Sequence, residues 1–402
     1  MKLRRRNKEQ WSRIISGSLA MSIAAILTVA CGGSDESGRA SAAAIEDRAA
    51  LEAAVQVAAP GRDAARAVAA ARAVQALGVN SDRQVIVFGD SLSDVGTYRV
   101  GLVAQVGGGK FTTNPGPVWP ETVGLVLGAR VTPFRQGFFG TSQVLGGTGY
   151  AMGGARVSQQ PGIGCEPDEG GACTAALTIP VTKQIDDYLT ANGGRFTRKQ
   201  LVLILAGAND IFYQLGAFES KVLAGVPAAQ AQDEALLALQ QAALELGAQV
   251  KRIVDKGATR VAVLNVPQIA DTPFGKSRAI APVRLLLAAM VTLFNDTLAA
   301  QVEGTAAALL DLQSEVARVL ANPGAFLVRE INVPACDLAK IAALTNGFEQ
   351  GGSSLFCSRS TFVQDGAAAT YMFADGVHPT TLGHLIFARF ILIQLWQRHL
   401  LS

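Results

Sequence analysis

Histidine is scarce in this chain: three occur in 402 residues, His378, His384 and His399. Chemistry that needs an imidazole base must draw on one of those positions. Metal-site patterns are missing too. There is no H-E-x-x-H, and the five cysteines (Cys31, Cys165, Cys173, Cys336, Cys357) contain no C-x-x-C pair, so neither a zinc protease nor a zinc ribbon is supported. A P-loop is absent, and the glycines at 147, 149, 153 and 154 do not follow G-x-G-x-x-G, which removes the common nucleotide-binding signatures. No G-x-S-x-G occurs, so the usual α/β-hydrolase elbow is excluded. No internal repeat is present, and the stretch after His378 is too short for a transmembrane β-barrel. Aromatic residues are few at 6%, whereas 42 glycines point to a globular chain with many tight loops.

The formal charge of +3 comes from one end. Residues 1–30 carry six basic groups and a single acid, so the remainder is close to neutral and nucleic-acid binding is not expected. That basic cluster precedes an apolar stretch from Ile14 to Ala30, the layout of an export signal. Leu27-Thr28-Val29-Ala30-Cys31 resembles a bacterial lipoprotein cleavage site, with Thr28 where Leu is usual; Cys31 would then be acylated and hold the protein to a membrane. Ordinary cleavage after Ala30, or an uncleaved anchor, is the alternative. Arg4-Arg5-Arg6 lacks the apolar residues that follow in twin-arginine signals. The expected location is therefore outside the cytoplasm: an outer-membrane or surface lipoprotein, or otherwise a periplasmic or secreted protein. Setting Cys31 aside leaves four cysteines, an even number that suits an oxidising compartment and allows three connectivities. Cys165–Cys173 with Cys336–Cys357 is preferred, because each pair closes a local loop.

Residues 31–82 read as an Ala-rich spacer, with helix within Ala42–Leu77 broken at Pro60-Gly61. The globular domain is assigned to residues 83–402. Continuous apolar runs at Val85–Phe88, Leu201–Leu205, Val261–Leu264 and Ala307–Asp311 fit strands buried on both faces of a parallel sheet. Helical spacing covers Ala228–Val254 and Val283–Glu303, the latter after Pro282 and serving to cover the core. Strands alternating with long helices predict an α/β fold, doubly wound with a mostly parallel central sheet.

Ligands of such sheets bind beyond the carboxyl ends of the strands. Two runs end there in polar clusters: Gly89-Asp90-Ser91-Leu92-Ser93-Asp94 and Gly207-Ala208-Asn209-Asp210. A serine leaving a strand for a helix sits near free backbone N–H groups that would stabilise an oxyanion. Its base is assigned to His378 in Asp375-Gly376-Val377-His378-Pro379, because an Asp three residues earlier can fold back onto Nδ1 and leave Nε2 for the serine proton. His384 and His399 are placed on a helix after Pro379, His384 as a structural or pocket-lining residue.

Together these pieces resemble the GDSL, or SGNH, hydrolase family over nearly all of residues 84–395, and specifically its secreted bacterial lipase and phospholipase branch. Ser91 lies in the first block, Gly153 of Gly149-Tyr150-Ala151-Met152-Gly153-Gly154-Ala155 in the second, Asn209 in the third, and Asp375 and His378 in the last. Phe111-Thr112-Thr113-Asn114-Pro115-Gly116-Pro117-Val118-Trp119 and Leu293-Phe294-Asn295 look like that branch as well. Thr97 stands where Asn often follows, and the Phe-Thr-Asn-Gly-Pro stretch is lengthened. The resemblance implies a three-layer α/β/α fold, catalytic Ser91, Asp375 and His378, and an oxyanion hole of Ser91 N–H, Gly153 N–H and the Asn209 side-chain amide. It implies no metal or cofactor. The expected partner is an acyl-ester or lipid substrate, cleaved by an esterase or lipase; a phospholipase or lysophospholipase using the same site, and sugar-ester deacetylases, fall within the same family. A surface lipoprotein that only binds lipid or glycan is the reading of another class. Taken singly, Asp94 is expected to bond local backbone, and Phe138, Phe139 and Trp119 to pack rather than hold substrate.

Overall fold

The computed structural model describes residues 84–278, 281–349 and 351–401. The expected export signal, Cys31 and the spacer lie outside the described residues.

Four strands form the central sheet: β1 (Gln84–Gly89), β4 (Gln200–Leu205), β5 (Val261–Leu264) and β6 (Ala308–Leu310), hydrogen-bonded in that order and all parallel. Each is the apolar run read from the sequence, because a parallel strand covered on both faces needs apolar side chains at every position. The last is shorter than Ala307–Asp311: Asp311 leaves the ladder because its carboxylate caps the next helix, accepting from Ser314 N–H at 3.1 Å. Beyond β1, residues 148–152 run alongside without joining as a strand. Val87 N–H donates to Thr148 C=O at 3.0 Å, Tyr150 N–H to Val87 C=O at 2.8 Å, and Met152 N–H to Gly89 C=O at 3.1 Å.

A separate two-stranded hairpin, β2 (Arg135–Phe138) and β3 (Thr141–Val144), carries no apolar alternation that would mark it in the sequence. Its two loop residues, Phe139 and Gly140, both have positive φ, at 52° and 70°. Such two-residue turns normally advertise themselves with Asn-Gly or Asp-Gly; a phenylalanine there hides the signal.

The helices, in chain order, are α1 (Gly101–Gln105), α2 (Trp119–Val126), α3 (Val181–Ala191), α4 (Ala208–Leu223), α5 (Ala228–Asp255), α6 (Pro273–Ser277), α7 (Ala281–Val302), α8 (Leu312–Ala321), α9 (Leu338–Leu344) and α10 (Thr381–Gln397). The period of two along the strands sorts them into layers. Ile86, Phe88, Val202, Ile204 and Val263 share one core with α3, α5 and α7. Val85, Val87, Leu203, Leu205 and Leu264 share the other with α2, α8 and α10. The fold is therefore three-layer α/β/α. Helix α7 is long and apolar enough to cross a membrane by composition, but it buries Leu287, Met290, Val291, Phe294 and Leu298 in the first core, so it serves as covering for the sheet.

A third, smaller core sits among the loops at the carboxyl end, joining Tyr98, Phe111, Met152, Leu355 and Phe356. Both disulfides bound its surroundings: Cys165–Cys173, with Cα atoms 5.0 Å apart, and Cys336–Cys357, at 5.8 Å.

Candidate active site

Ser91 lies two residues after the bend that ends β1. Gly89, with φ +147°, makes that bend; a Cβ there would lie 2.1 Å from the Leu205 carbonyl oxygen of β4, so only glycine fits. The buried amide of Gln184 on α3 clamps Gly89 from both sides, accepting its N–H at 3.0 Å and donating to its C=O at 2.8 Å. Asp90 then caps a 3-10 turn over Ser91–Ser93 by accepting Leu92 N–H. The hydroxyl of Ser91 is thereby delivered to the carboxyl end of the sheet.

His378 comes to it from 287 residues away. Its Nε2 is 2.8 Å from Ser91 Oγ, and its Nδ1 is 2.7 Å from Asp375 Oδ2. A tight bend holds the Asp and His together: Ala374 N–H donates to His378 C=O at 2.7 Å, and Asp375 Oδ1 accepts the N–H groups of Val377 and His378. Ser354 N–H adds a further bond to Asp375 Oδ2 at 2.8 Å. Burial opposes ionisation of Asp375, but the His378 ring and these hydrogen bonds outweigh it and hold the carboxyl well below the usual range. An ionised carboxylate can only accept, so Nδ1 carries the proton and Nε2 faces Ser91 with its lone pair. The Phe111 ring lies against the imidazole, centroids 5.0 Å apart.

The second- and third-block residues meet beside Ser91's loop. Asn209, in the first turn of α4, donates through Nδ2 to Ala155 C=O at 2.8 Å, leaving its other amide hydrogen unassigned. Gly153 N–H is engaged by Asp94 Oδ2 at 2.8 Å. Asp94 therefore does more than bond its own loop, where it accepts Gly96 and Thr97 N–H. Among the described residues, Ser91 N–H and Gly154 N–H have no protein acceptor.

His384 is fully buried on α10. Its Nδ1 accepts Trp119 N–H and its Nε2 donates to Phe111 C=O, both at 3.3 Å. Burial pushes its pKa down to about 3, so it stays neutral and ties two loops together instead of serving as a second base. His399 is not on that helix: α10 ends at Gln397, and His399 lies beyond it with φ +55°. Trp119 is fully buried packing, whereas Phe139 is 46% exposed. Three buried carboxyls surround the loops. Burial raises Asp90 to about 7, Asp94 to about 6 and Asp210 to about 6, the last despite its pairing with Arg156 at 3.2 Å. Sequence reasoning missed Gln184, Ser354, Tyr98 and Phe111. Ser354 acts through its backbone, which no residue type announces; the other three carry a side chain whose partner is visible only in three dimensions.

No curated protein matches the chain. The family model of the GDSL-like Lipase/Acylhydrolase matches residues 85–391. Since that stretch covers most of the chain and contains the serine, the histidine and the aspartate just described, the protein belongs to the GDSL-like lipase/acylhydrolase family of ester hydrolases.

Proposed function

We propose that the protein cleaves carboxylic esters through an acyl-Ser91 intermediate. The observation that carries this reading is the unbroken line from Asp375 Oδ2 through His378 to Ser91 Oγ, with contacts of 2.7 and 2.8 Å.

Ser91 Oγ attacks the ester carbonyl carbon while His378 Nε2 takes its proton. The imidazolium so formed is stabilised by Asp375, which stays ionised. The carbonyl oxygen becomes an oxyanion beside Ser91 N–H, the free hydrogen of Asn209 Nδ2 and the turn at Gly153–Gly154. His378 then passes its proton to the departing alkoxide, leaving acyl-Ser91 and an alcohol. Water, deprotonated by His378, attacks the acyl carbonyl, and Ser91 leaves with the proton returned to it.

Two disulfides support the further reading that the enzyme works outside the cytoplasm, where such bridges persist. A fluorophosphonate tests the chemistry: the reading requires one adduct, on Ser91, that abolishes esterase activity. A folded protein that is inert to the reagent would instead favour a surface protein that only binds lipid or glycan. A panel of nitrophenyl esters of rising chain length, phosphatidylcholine and acetylated sugars then fixes the substrate class.

A further inference from the structure

The amino end of the sheet is where β1, β4 and β5 begin and where the helices running back from the carboxyl end finish. Exposed there are Arg130 after α2, Arg195 and Arg198 between α3 and β4, Lys256 after α5 and Arg398 after α10. Backbone bonds join these segments into one face. Gln84 N–H donates to Lys199 C=O at 3.2 Å, and Phe196 N–H to Lys256 C=O at 2.8 Å. A cleft lined by Gln84, Leu127, Lys199 and Leu400 brings in the ends of α2 and α10. None of the five exposed basic side chains makes an ion pair among the described residues. Acids nearby are few and mostly taken: Asp255 and Asp186 are held by Lys251 and Arg252, each at 2.7 Å, and Glu303 lies at the β6 edge.

Apolar side chains stand in the same face. Trp396, in the last turn of α10, is 70% exposed, and Ile393, one turn earlier on the same side, is 39% exposed. An exposed tryptophan among basic residues suits the boundary between lipid head groups and acyl chains. Residues 1–83 join the domain at Gln84, within this face. The apolar stretch Ile14–Ala30, read from the sequence as an export signal or membrane anchor, is therefore connected from this side.

At the carboxyl end the charge is mixed. Arg99 and Arg359 are exposed there, but so are Glu166, Asp168 and Glu169 in the loop closed by Cys165–Cys173, which has no basic residue. That loop adjoins the turn at Gly154, where Ile163 N–H donates to Gly154 C=O at 2.9 Å. An anionic surface is therefore drawn to the amino end and finds no comparable patch around the site.

We propose that the amino-end face docks on an anionic lipid bilayer, with Arg130, Arg195, Arg198, Lys256 and Arg398 meeting the head groups and Trp396 entering the boundary of the acyl chains. Ser91 then faces away from that bilayer, because β1 sets Gln84 and Gly89 roughly 17 Å apart. Substrate reaches Ser91 from the aqueous side. This docking does not depend on which bond Ser91 cleaves.

Tryptophan fluorescence reads the contact. The chain holds Trp11, Trp119 and Trp396. Trp119 is fully buried, and Trp11→Phe removes the first, so Trp396 becomes the reporter in the full-length chain. On phosphatidylcholine vesicles with brominated acyl chains, its emission should be quenched when phosphatidylglycerol is included. Most of that quenching should be lost without phosphatidylglycerol and in high salt. Arg195→Gln/Arg198→Gln/Lys256→Gln should lose it as well, since each basic group at an anionic surface is worth about fivefold in binding. Unquenched Trp396 on phosphatidylglycerol vesicles that retain the protein overturns the proposal, and so does equal quenching on phosphatidylcholine alone. The lipid and salt comparisons need only the reporter, so they stand even where the triple variant fails to fold.

Phe139→Trp, made with Trp11→Phe and Trp396→Phe, moves the reporter to the hairpin at the carboxyl end, where Val144 and Leu145 are also exposed. It should stay unquenched; quenching there would put the active-site end against the lipid and overturn the orientation. Trp396 emission that responds to heparin and not to phosphatidylglycerol vesicles would make the partner a soluble polyanion and overturn the lipid assignment.

Discussion

Ser354 and His378 converge on one atom: the backbone N–H of Ser354 reaches Asp375 Oδ2 at 2.8 Å, and His378 Nδ1 reaches the same oxygen at 2.7 Å. The Cys336–Cys357 bridge holds this convergence in place. Cys357 lies three residues after Ser354, and Cys336 N–H donates to Ala374 C=O, the residue before Asp375, at 3.0 Å. The disulfide thus ties the segment bonded beside the aspartate to the loop that supports it.

Replacing both Cys336 and Cys357 with Ala should therefore cost about 3 kcal/mol of stability, the order expected for a loop of this length. It should also lower kcat at temperatures where the variant is still folded. The Cys165→Ala/Cys173→Ala pair closes a shorter loop away from Asp375 and should leave kcat close to the parent. Urea melts and ester hydrolysis measure both effects; equal losses of kcat in the two double variants would contradict the support role.

Ser91→Ala and His378→Ala should each reduce kcat by about 10⁴–10⁶, as removal of a triad member does. Asp375→Asn should cost about 10⁴ by favouring the wrong imidazole tautomer. Asn209→Ala should cost about 10²–10³ through the lost oxyanion donor. Thermal melts should show the serine variant folded. Unchanged turnover in Asn209→Ala would remove that side chain from the oxyanion site.

Gly89→Ala should fail as a fold before it fails as an enzyme. Its Cβ would lie 2.1 Å from the Leu205 carbonyl oxygen, at a backbone φ of +147° that alanine resists. Strand β1 would have to part from β4, and the expected signs are insoluble expression or a loss of several kcal/mol, about what severe core strain costs. A soluble variant with the parent's Tm would show that the bend relaxes.

Stability should depend on pH in two opposing ways. Asp375 sits below its ordinary value, so it stabilises the fold above about 4 and loses that contribution as pH falls. Asp90, Asp94 and Asp210 are raised by burial from 3.8 to about 7, 6 and 6. Between 3.8 and those values the folded state binds more protons than the unfolded chain, so stability falls as pH rises through that window. Asp90 is the strongest case, since its Oδ2 is buried with no hydrogen-bond partner among the described residues. Tm measured at pH 4.5 and 7.5 should show Asp90→Asn gaining on the parent at the higher pH. A difference that does not change with pH would mean Asp90 is ionised throughout.

Much of the fold was legible in the chain because its strands are covered on both faces. Leu201–Leu205 and Val261–Leu264 show as unbroken apolar runs, and α5 shows its helical spacing over 28 residues. The hairpin of β2 and β3 was not legible, since its strands pack little and its turn places Phe139 where Asn or Gly is usual. Asp311 reads as the end of a strand, because an acid following an apolar run gives no sign that it will turn to cap α8.

By itself the sequence determined which groups could react: a serine at the end of a buried strand, and one histidine with an aspartate three residues before it. Side-chain chemistry and local spacing are written in residue types, and these survive without coordinates. Only the tertiary structure decided where the backbone groups point. Gly153 N–H turns to an aspartate 59 residues away, Ser354 N–H reaches Asp375 across 21, and Gly154 N–H has no partner among the described residues. Every residue but proline carries the same N–H, so its destination is set by the path of the chain in space, which no single position records.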